Sequence, residues 1–291
     1  LEAEQLARDL ERPGRPESIE LRIHIAIANE DWSAARDEAR KLRSAGEAGL
    51  ADLLEAEALI RSGRAGKAEG RVEEAVAAMG PEARLRLAEV YHEFDRSESG
   101  ERLLREWVAA EPRNADAHFH LGAFLYRSGE FPVAEAELRE ALRLEPEHGP
   151  ALNFLGYSLA ERGERLDEAL ELIRRALAND PWNGAYLDSL GWVLVKLGRL
   201  DEARDPMERA AREHPSDPVV LEHLGDMYEK LGERELALRA WGRAVVEDPE
   251  DEEALLAKIR HLEEYSGEAR AQAADESGAE ARPVEPPPPS P

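Results

Sequence analysis

The sequence repeats itself with a period of about 34 residues. A glycine recurs at separations of 34, 35 and 34 residues, at Gly122, Gly156, Gly191 and Gly225. Two spaced alanines and a closing proline follow each glycine, and they form the sets Ala134, Ala169, Ala203 and Ala237; Ala141, Ala176, Ala210 and Ala244; and Pro146, Pro181, Pro215 and Pro249. A period of this length predicts stacked units that contact only their neighbours. We therefore interpret the recurring residues as structural positions.

Each period contains two amphipathic helical patterns separated by a short turn. The pattern predicts four regular units, at 115–148, 149–183, 184–217 and 218–251. Residues 1–114 carry a weaker form of it and are predicted to be degenerate repeats. An amphipathic helix predicted at 252–265 would cap the apolar end of the stack. The Ala-, Glu- and Pro-rich stretch 266–291 is predicted to be disordered.

The composition limits the classes of partner. Charged residues make up 35% of the chain and aromatic residues 5%, which is typical of helices with a solvated outer face. The net charge of −25 would repel a phosphate backbone, so no nucleic-acid partner is expected. The absence of cysteine excludes disulfides and thiolate metal sites, and neither a metal nor a cofactor is expected. No apolar run approaches the ~18 residues of a membrane span, so direct membrane insertion of this chain is not expected.

The repeated positions resemble the tetratricopeptide repeat, a helix–turn–helix unit of about 34 residues. The resemblance is clearest in the last regular unit, at Leu224, Gly225, Tyr228, Ala237, Trp241, Ala244 and Pro249. The tryptophan that often opens the family pattern is absent, and its positions hold His118, Leu152, Leu187 and Leu221. The resemblance implies an all-α fold, a right-handed α-solenoid of helix–turn–helix repeats with a C-terminal capping helix.

The run LDSLGWVLVKLGRLDEA is similar to the last repeats of a group of Gram-negative bacterial tetratricopeptide proteins. Some of those proteins are periplasmic, outer-membrane-anchored adaptors of the lipoprotein type, which present substrates to carboxyl-terminal processing proteases. Because the chain begins at Leu1 and not at Met, an upstream part is expected. The resemblance then implies a periplasmic or outer-membrane-associated location if an upstream signal was removed, and a cytoplasmic one otherwise.

In tetratricopeptide proteins, the first helix of each unit lines a concave groove. The resemblance places in this groove Phe119, Tyr126, Asn153, Tyr157, Asp188, Trp192, Glu222, Asp226 and Glu229, together with Arg127 and Lys196. Aromatic rings beside carboxylates suit an extended peptide or protein segment with basic or aromatic side chains, because rings provide stacking area and acids attract Lys and Arg. The same acids would repel the terminal carboxylate that chaperone-binding members hold, so that class of ligand is not expected. The alternative is that Tyr157 and Trp192 only pack against neighbouring repeats, while the acids only solubilise the surface.

The sequence offers no evident catalytic residues. It shows no set of nucleophile, base and orienting acid, and His118 and His120 are spaced to point to different sides of a helix. The chain is therefore expected to be a non-enzymatic scaffold or adaptor that binds a protein segment in the groove. One alternative is a structural subunit that assembles through its convex face or the ends of its stack. Another is an accessory region of an enzyme whose catalytic part lies upstream.

Overall fold

The computed structural model describes residues 14–247, 249 and 251–264. Every regular element in these residues is helical, and the described ranges contain no strand. The predicted all-α fold is confirmed. The predicted disordered tail at 266–291 and the last residue of the predicted capping helix lie outside the described residues, as do the first 13 residues of the region predicted as degenerate repeats.

The chain forms two compact units, Leu1–Ala151 and Leu152–Pro291. The described helices of the first unit are α1 (Pro16–Ala28), α2 (Trp32–Ser44), α3 (Ala48–Arg61), α4 (Glu69–Met79), α5 (Pro81–Glu93), α6 (Ser97–Ala110), α7 (Ala115–Arg127) and α8 (Phe131–Leu144). Helix α9 (Gly149–Glu161) begins in the first unit and continues into the second. The second unit continues with α10 (Leu166–Asn179), α11 (Gly184–Lys196), α12 (Leu200–Glu213), α13 (Pro218–Lys230), α14 (Arg234–Val246) and a helical segment at 252–264.

Consecutive helices pack in pairs, as seen for α7 with α8, α11 with α12 and α13 with α14. The repeated glycine of the first helix allows a close approach to the second. A Cβ atom on Gly156 would lie 2.6 Å from Cγ1 of Ile173 and 3.0 Å from the carbonyl oxygen of Ala169. All eight alanines of the two repeated sets are buried, and the four repeated prolines lie in the links that follow the second helices. Small side chains at these positions thus allow the two helices of a pair to pack closely.

The extra residue of the second regular unit lies in the turn between α9 and α10. This turn covers 162–165, whereas the equivalent turn between α11 and α12 covers only 197–199. Gly198 adopts a left-handed backbone with φ 74°, which glycine reaches without a steric cost. The longer turn contains both Gly163 at φ 66° and Arg165 at φ 44°. The turn absorbs the insertion, so the helices on either side keep their pairing.

In the first unit, buried carboxylates on α3 are paired with arginines of the following helices. The Asp52 carboxylate accepts a hydrogen bond from Nη1 of Arg71 in α4, at 2.9 Å. Glu57 accepts two bonds from Arg86 in α5, at 2.7 and 3.1 Å. A buried carboxylate without a partner would be strongly destabilising, so these pairs fix the acids of α3 against both neighbouring helices.

Candidate functional site

The second unit contains a cavity of about 750 Å³. Helices α9, α11 and α13 and the segment 252–264 all provide side chains to it, among them Tyr157, Glu161, Trp192, Glu222, Asp226 and Lys258. The volume lies within the range of about 300–1,000 Å³ that is usual for ligand pockets. Aromatic rings and charged groups share the wall, so the cavity can make both stacking contacts and ionic contacts.

The repeat itself brings three of these side chains to one wall. Tyr157, Trp192 and Asp226 each follow a repeat glycine by one residue. The glycine faces the second helix of its own pair, as Gly225 does toward Trp241. The next residue lies about 100° further around the helix, so its side chain leaves that contact and turns toward another face. Equivalent positions on successive first helices therefore converge on the cavity.

Trp192 forms the centre of the aromatic wall. Its ring stacks on His223 with centroids 4.1 Å apart and planes inclined by 15°. The indole Nε1 donates a hydrogen bond to Oε2 of Glu161 at 2.9 Å. On the ring face, Nζ of Lys196 lies 4.4 Å from the centroid, and it is also 3.7 Å from Oε1 of Glu161. Trp192 is thereby held by one neighbour from each of three first helices, and only 6% of it is exposed.

His223 is a buried histidine paired with a buried acid. Its Nδ1 lies 2.9 Å from Oδ2 of Asp188 on α11, and both side chains are almost fully covered. Burial lowers the pKa of His223, but the charge and hydrogen bond of Asp188, with smaller effects of Glu161 and Asp226, outweigh it and leave the pKa raised above the usual 6.5. The Asp188–His223 pair thus favours the protonated form of the imidazole under the aromatic wall.

The cavity wall also contains two carboxylates that bind an ammonium group. Nζ of Lys258 lies 2.7 Å from Oε1 of Glu222, and 2.7 and 2.9 Å from the two oxygens of Asp226. Oδ1 of Asp226 also accepts a hydrogen bond from Nε1 of Trp241 at 2.9 Å. Burial lowers the pKa of Lys258, but Asp226 and Glu222 reverse the effect, so the pKa is raised overall. We call Glu222 and Asp226 the carboxylate pair.

The structure brings some of the predicted groove residues together and separates others. Tyr157, Trp192, Lys196, Glu222 and Asp226 line the cavity. Asp188 was expected on the groove surface, but it is buried, because His223 of the next first helix covers its carboxylate. The alternative that Trp192 packs on a neighbouring repeat also describes a real contact, its stacking on His223.

The remaining predicted groove residues lie elsewhere. Glu229 is exposed and Asn153 is half-buried, and neither lines this cavity. Phe119 and Tyr126 belong to the first unit, where Phe119 contacts His120 and His148, and Tyr126 contacts Phe131. They therefore stay candidates for binding by the first unit alone.

Among the residues of the site that the sequence did not predict are Glu161, His223 and Lys258. Glu161 holds the thirteenth position of its unit, and the same position in two other units holds Arg127 and Lys196, which were predicted to face the groove. His223 shares the position two residues before the repeat glycine with His120, which likewise stacks on a tryptophan. Lys258 interrupts the apolar residues of its helix between Leu255 and Leu262, and a lysine on the apolar face of a predicted capping helix is the signal that indicates it.

The described ranges lack two classes of feature, a metal-binding cluster and a membrane-spanning helix. No group of three or more His, Asp or Glu side chains there is placed to hold a metal ion. None of the helices described combines the length and the apolar character that crossing a bilayer requires.

Comparison with known proteins extends these observations. The family model "Tetratricopeptide repeat" matches residues 85–136, 125–184, 162–218 and 189–254. A TPR repeat-containing protein of Pseudomonas aeruginosa is 28% identical over 179 residues, which are 60% of this chain and 30% of that protein. The chain thus spans about a third or less of the length of the curated relatives it matches.

Solved structures share the fold. A thermophilic TPR protein of Thermus thermophilus superposes with a TM-score of 0.53 at 19% identity, over 62% of this chain and 97% of that one. A tetratricopeptide repeat protein of Parabacteroides merdae gives a TM-score of 0.60 at 13% identity, over 85% of this chain and 98% of the other. Together with the repeated glycines, alanines and prolines, these matches lead to one conclusion: the chain belongs to the tetratricopeptide repeat family.

Proposed function

We propose that the second unit is a non-catalytic adaptor that binds an extended protein segment in the groove lined by α9, α11 and α13. The observation that supports this most strongly is the cavity on these first helices. Its wall is built from Tyr157, Trp192 and Asp226, which differ from one repeat to the next at a single equivalent position. Folds of this family are typical of protein–protein interaction scaffolds. Variation at a fixed position of a recurring scaffold is the expected source of specificity.

The chemistry of the wall suits a peptide. Aromatic faces provide contact area, and each interface usually depends on a few such anchors. The contact residues project from helices that are already packed, so little ordering cost would fall on this partner during binding.

A second candidate function rests on an exposed tryptophan outside the cavity. Trp182, in the link between α10 and α11, is 72% exposed, and the guanidinium of Arg209 lies 5.0 Å from its ring centroid. Large aromatic residues at the surface are common anchors of protein interfaces. A structural subunit that assembles through a surface other than the groove would use residues of this kind.

Replacing Tyr157 by alanine should separate the two functions. If the cavity anchors the partner, we expect Tyr157→Ala to weaken binding by roughly thirty-fold or more, the effect of losing a binding hot spot. The partner would be recovered from an extract of the organism that encodes the chain, and its affinity measured by calorimetry. Tyr186→Ala is the matched control, because Tyr186 is also half-buried on a first helix of this unit but does not line the cavity.

The variant that loses binding identifies the surface that binds the partner. Weakened binding by Tyr157→Ala, with normal binding by Tyr186→Ala and Trp182→Ala, supports the groove. Loss of binding only in Trp182→Ala would reject it in favour of the structural subunit. Circular dichroism of each variant verifies that the helical content is unchanged.

A further inference from the structure

The cavity already contains cations of the protein itself, and their positions indicate which ligand chemistry it accepts. Lys258 binds the carboxylate pair through three oxygens within 2.9 Å. Lys196 lies over the face of Trp192 at 4.4 Å and near Glu161. Both acidic sites of the wall are therefore complementary to an ammonium group, and one of them also presents an aromatic face, the usual surroundings of a bound cation.

The charges of the wall disfavour other ligands. Its carboxylates are Glu161, Glu222, Asp226 and Asp251, and its ammonium groups are Lys196 and Lys258. Before His223 is counted, the wall thus has an excess of two negative charges. An anionic side chain would meet this excess, whereas an incoming Lys or Arg could replace a lysine and leave the ion pairing intact.

Lys258 is placed on an element that other residues hold in position. Leu255 and Leu262 of the segment 252–264 are buried, and the carbonyl oxygen of Leu262 accepts a hydrogen bond from Arg234 of α14. Lys258 lies three residues after one leucine and four before the other, so it shares their helical face. A third of its side chain is exposed, which leaves the ammonium group within reach of solvent. Exchange of this one side chain does not require the helix to leave.

We propose that the carboxylate pair is the subsite for a Lys or Arg side chain of the bound protein segment, and that Lys258 occupies it as an internal competitor. This inference rests on the proposed function, because it names the ligand group that the groove selects. An arginine gains more than a lysine here, since its planar guanidinium can bind two carboxylate oxygens at once. Lys258 keeps the carboxylates compensated when no partner is bound, and it lowers the affinity for any partner that must displace it.

Lys258→Met tests the competition, because methionine keeps the apolar stem and removes the charge. The probes are blocked pentapeptides, acetyl-Ala-Ala-X-Ala-Ala-amide, in which X is Arg, Lys, Gln or Glu. Binding is followed by NMR on the indole N–H signals of Trp192 and Trp241, which donate to Glu161 and Asp226 and so report on both acidic sites of the wall. We expect the Arg and Lys probes to bind roughly three- to tenfold more tightly to Lys258→Met than to the wild type, the change produced by a competing ion pair of modest strength.

Two further variants complete the design. Lys230→Met is the matched control, because Lys230 is an exposed lysine of α13 outside the cavity, and its replacement should leave the affinities unchanged. Glu222→Gln removes one charge of the subsite with little change of shape, and it should abolish the preference for the Arg probe over the Gln probe. This second variant keeps the test valid if Lys258→Met loosens the terminal helix.

The results overturn the inference if the Gln and Glu probes bind as well as the Arg probe, or if Lys258→Met gains no affinity. That failure is distinct from a failure of the proposed function. A natural partner that depends on Tyr157 but shows no charge preference would reject the cation subsite alone. Cationic probes that bind in the cavity, with a natural partner that ignores Tyr157, would reject the groove as the adaptor surface.

Discussion

Replacing Gly225 by alanine is expected to destabilise the second unit by about 1–3 kcal/mol, the cost of overpacking a close contact. A Cβ atom at this position would overlap with Cδ1 and Nε1 of Trp241 on α14. The indole cannot move away easily, because Trp241 is fully buried and its Nε1 donates a hydrogen bond to Asp226. The clash therefore has to be relieved by separating α13 from α14.

Urea denaturation of the full chain measures this effect, and Gly242→Ala provides the matched control. Gly242 also lies within a helix of this unit, but it is exposed and nothing would meet its Cβ within 4 Å. Alanine there should be neutral or stabilising by up to about 1 kcal/mol, because it favours the helix more than glycine does. Equal effects of the two substitutions would show that the glycine–tryptophan contact does not determine the stability of this pair.

Asp188→Asn is expected to cost about 3 kcal/mol at pH 6, because removing one member of a buried ion pair leaves the other charge without compensation. The amide keeps the shape of the side chain and an acceptor for Nδ1 of His223, which places the loss at the lower end of the usual range. The groups that face His223 are Glu161 on α9, Asp188 on α11 and Asp226 on its own helix. With Asp188 neutral, only the smaller effects of Glu161 and Asp226 still favour the protonated imidazole against its burial.

The loss of stability caused by Asp188→Asn should become smaller as the pH rises. The pKa of His223 is raised in the folded chain above the ordinary value of 6.5. The stabilisation from its protonation is therefore complete below about pH 6.5 and disappears as the pH rises through the folded-state pKa. Above that value the imidazole is neutral in both proteins, so the wild type and Asp188→Asn should differ little.

NMR titration of the imidazole reports the folded-state pKa directly, and urea denaturation at about pH 6 and at a pH above that pKa measures the difference. Glu20→Gln is the matched control, because Glu20 pairs with His24 at 3.7 Å on the exposed face of α1. Exposed ion pairs contribute little to the free energy of unfolding, so Glu20→Gln should change the stability only slightly at either pH. If Asp188→Asn lowers the free energy of unfolding by the same amount at both pH values, protonation of His223 is not the source of the stabilisation.

The scaffold could be predicted from the sequence because it depends on residues that recur. Gly156 and Ala169 must be small wherever the two helices of a unit approach, so the same letters return at each period. The positions predicted to face the groove came from the family resemblance, and three residues at one of these positions, Tyr157, Trp192 and Asp226, line the cavity.

The interior of the site could not be predicted in the same way, because it depends on pairs from different repeats. Asp188 is buried by His223, which lies 35 residues further along the chain, and no rule about a single unit indicates that the two are complementary. The carboxylate pair is likewise compensated by Lys258 from outside the regular repeats. Such pairs use positions that vary between units, where one sequence gives no periodic signal.

The central claim, that a protein segment binds in the cavity, is tested most directly by site-specific photo-cross-linking in the native organism. The photoreactive residue p-benzoylphenylalanine would replace Val219, an exposed residue of the cavity wall, or Trp182, an exposed residue outside it. We predict that the protein with the probe at 219 cross-links to a partner segment that carries Lys or Arg, and that the probe at 182 does not. Cross-links from position 182 with none from position 219 would contradict the account.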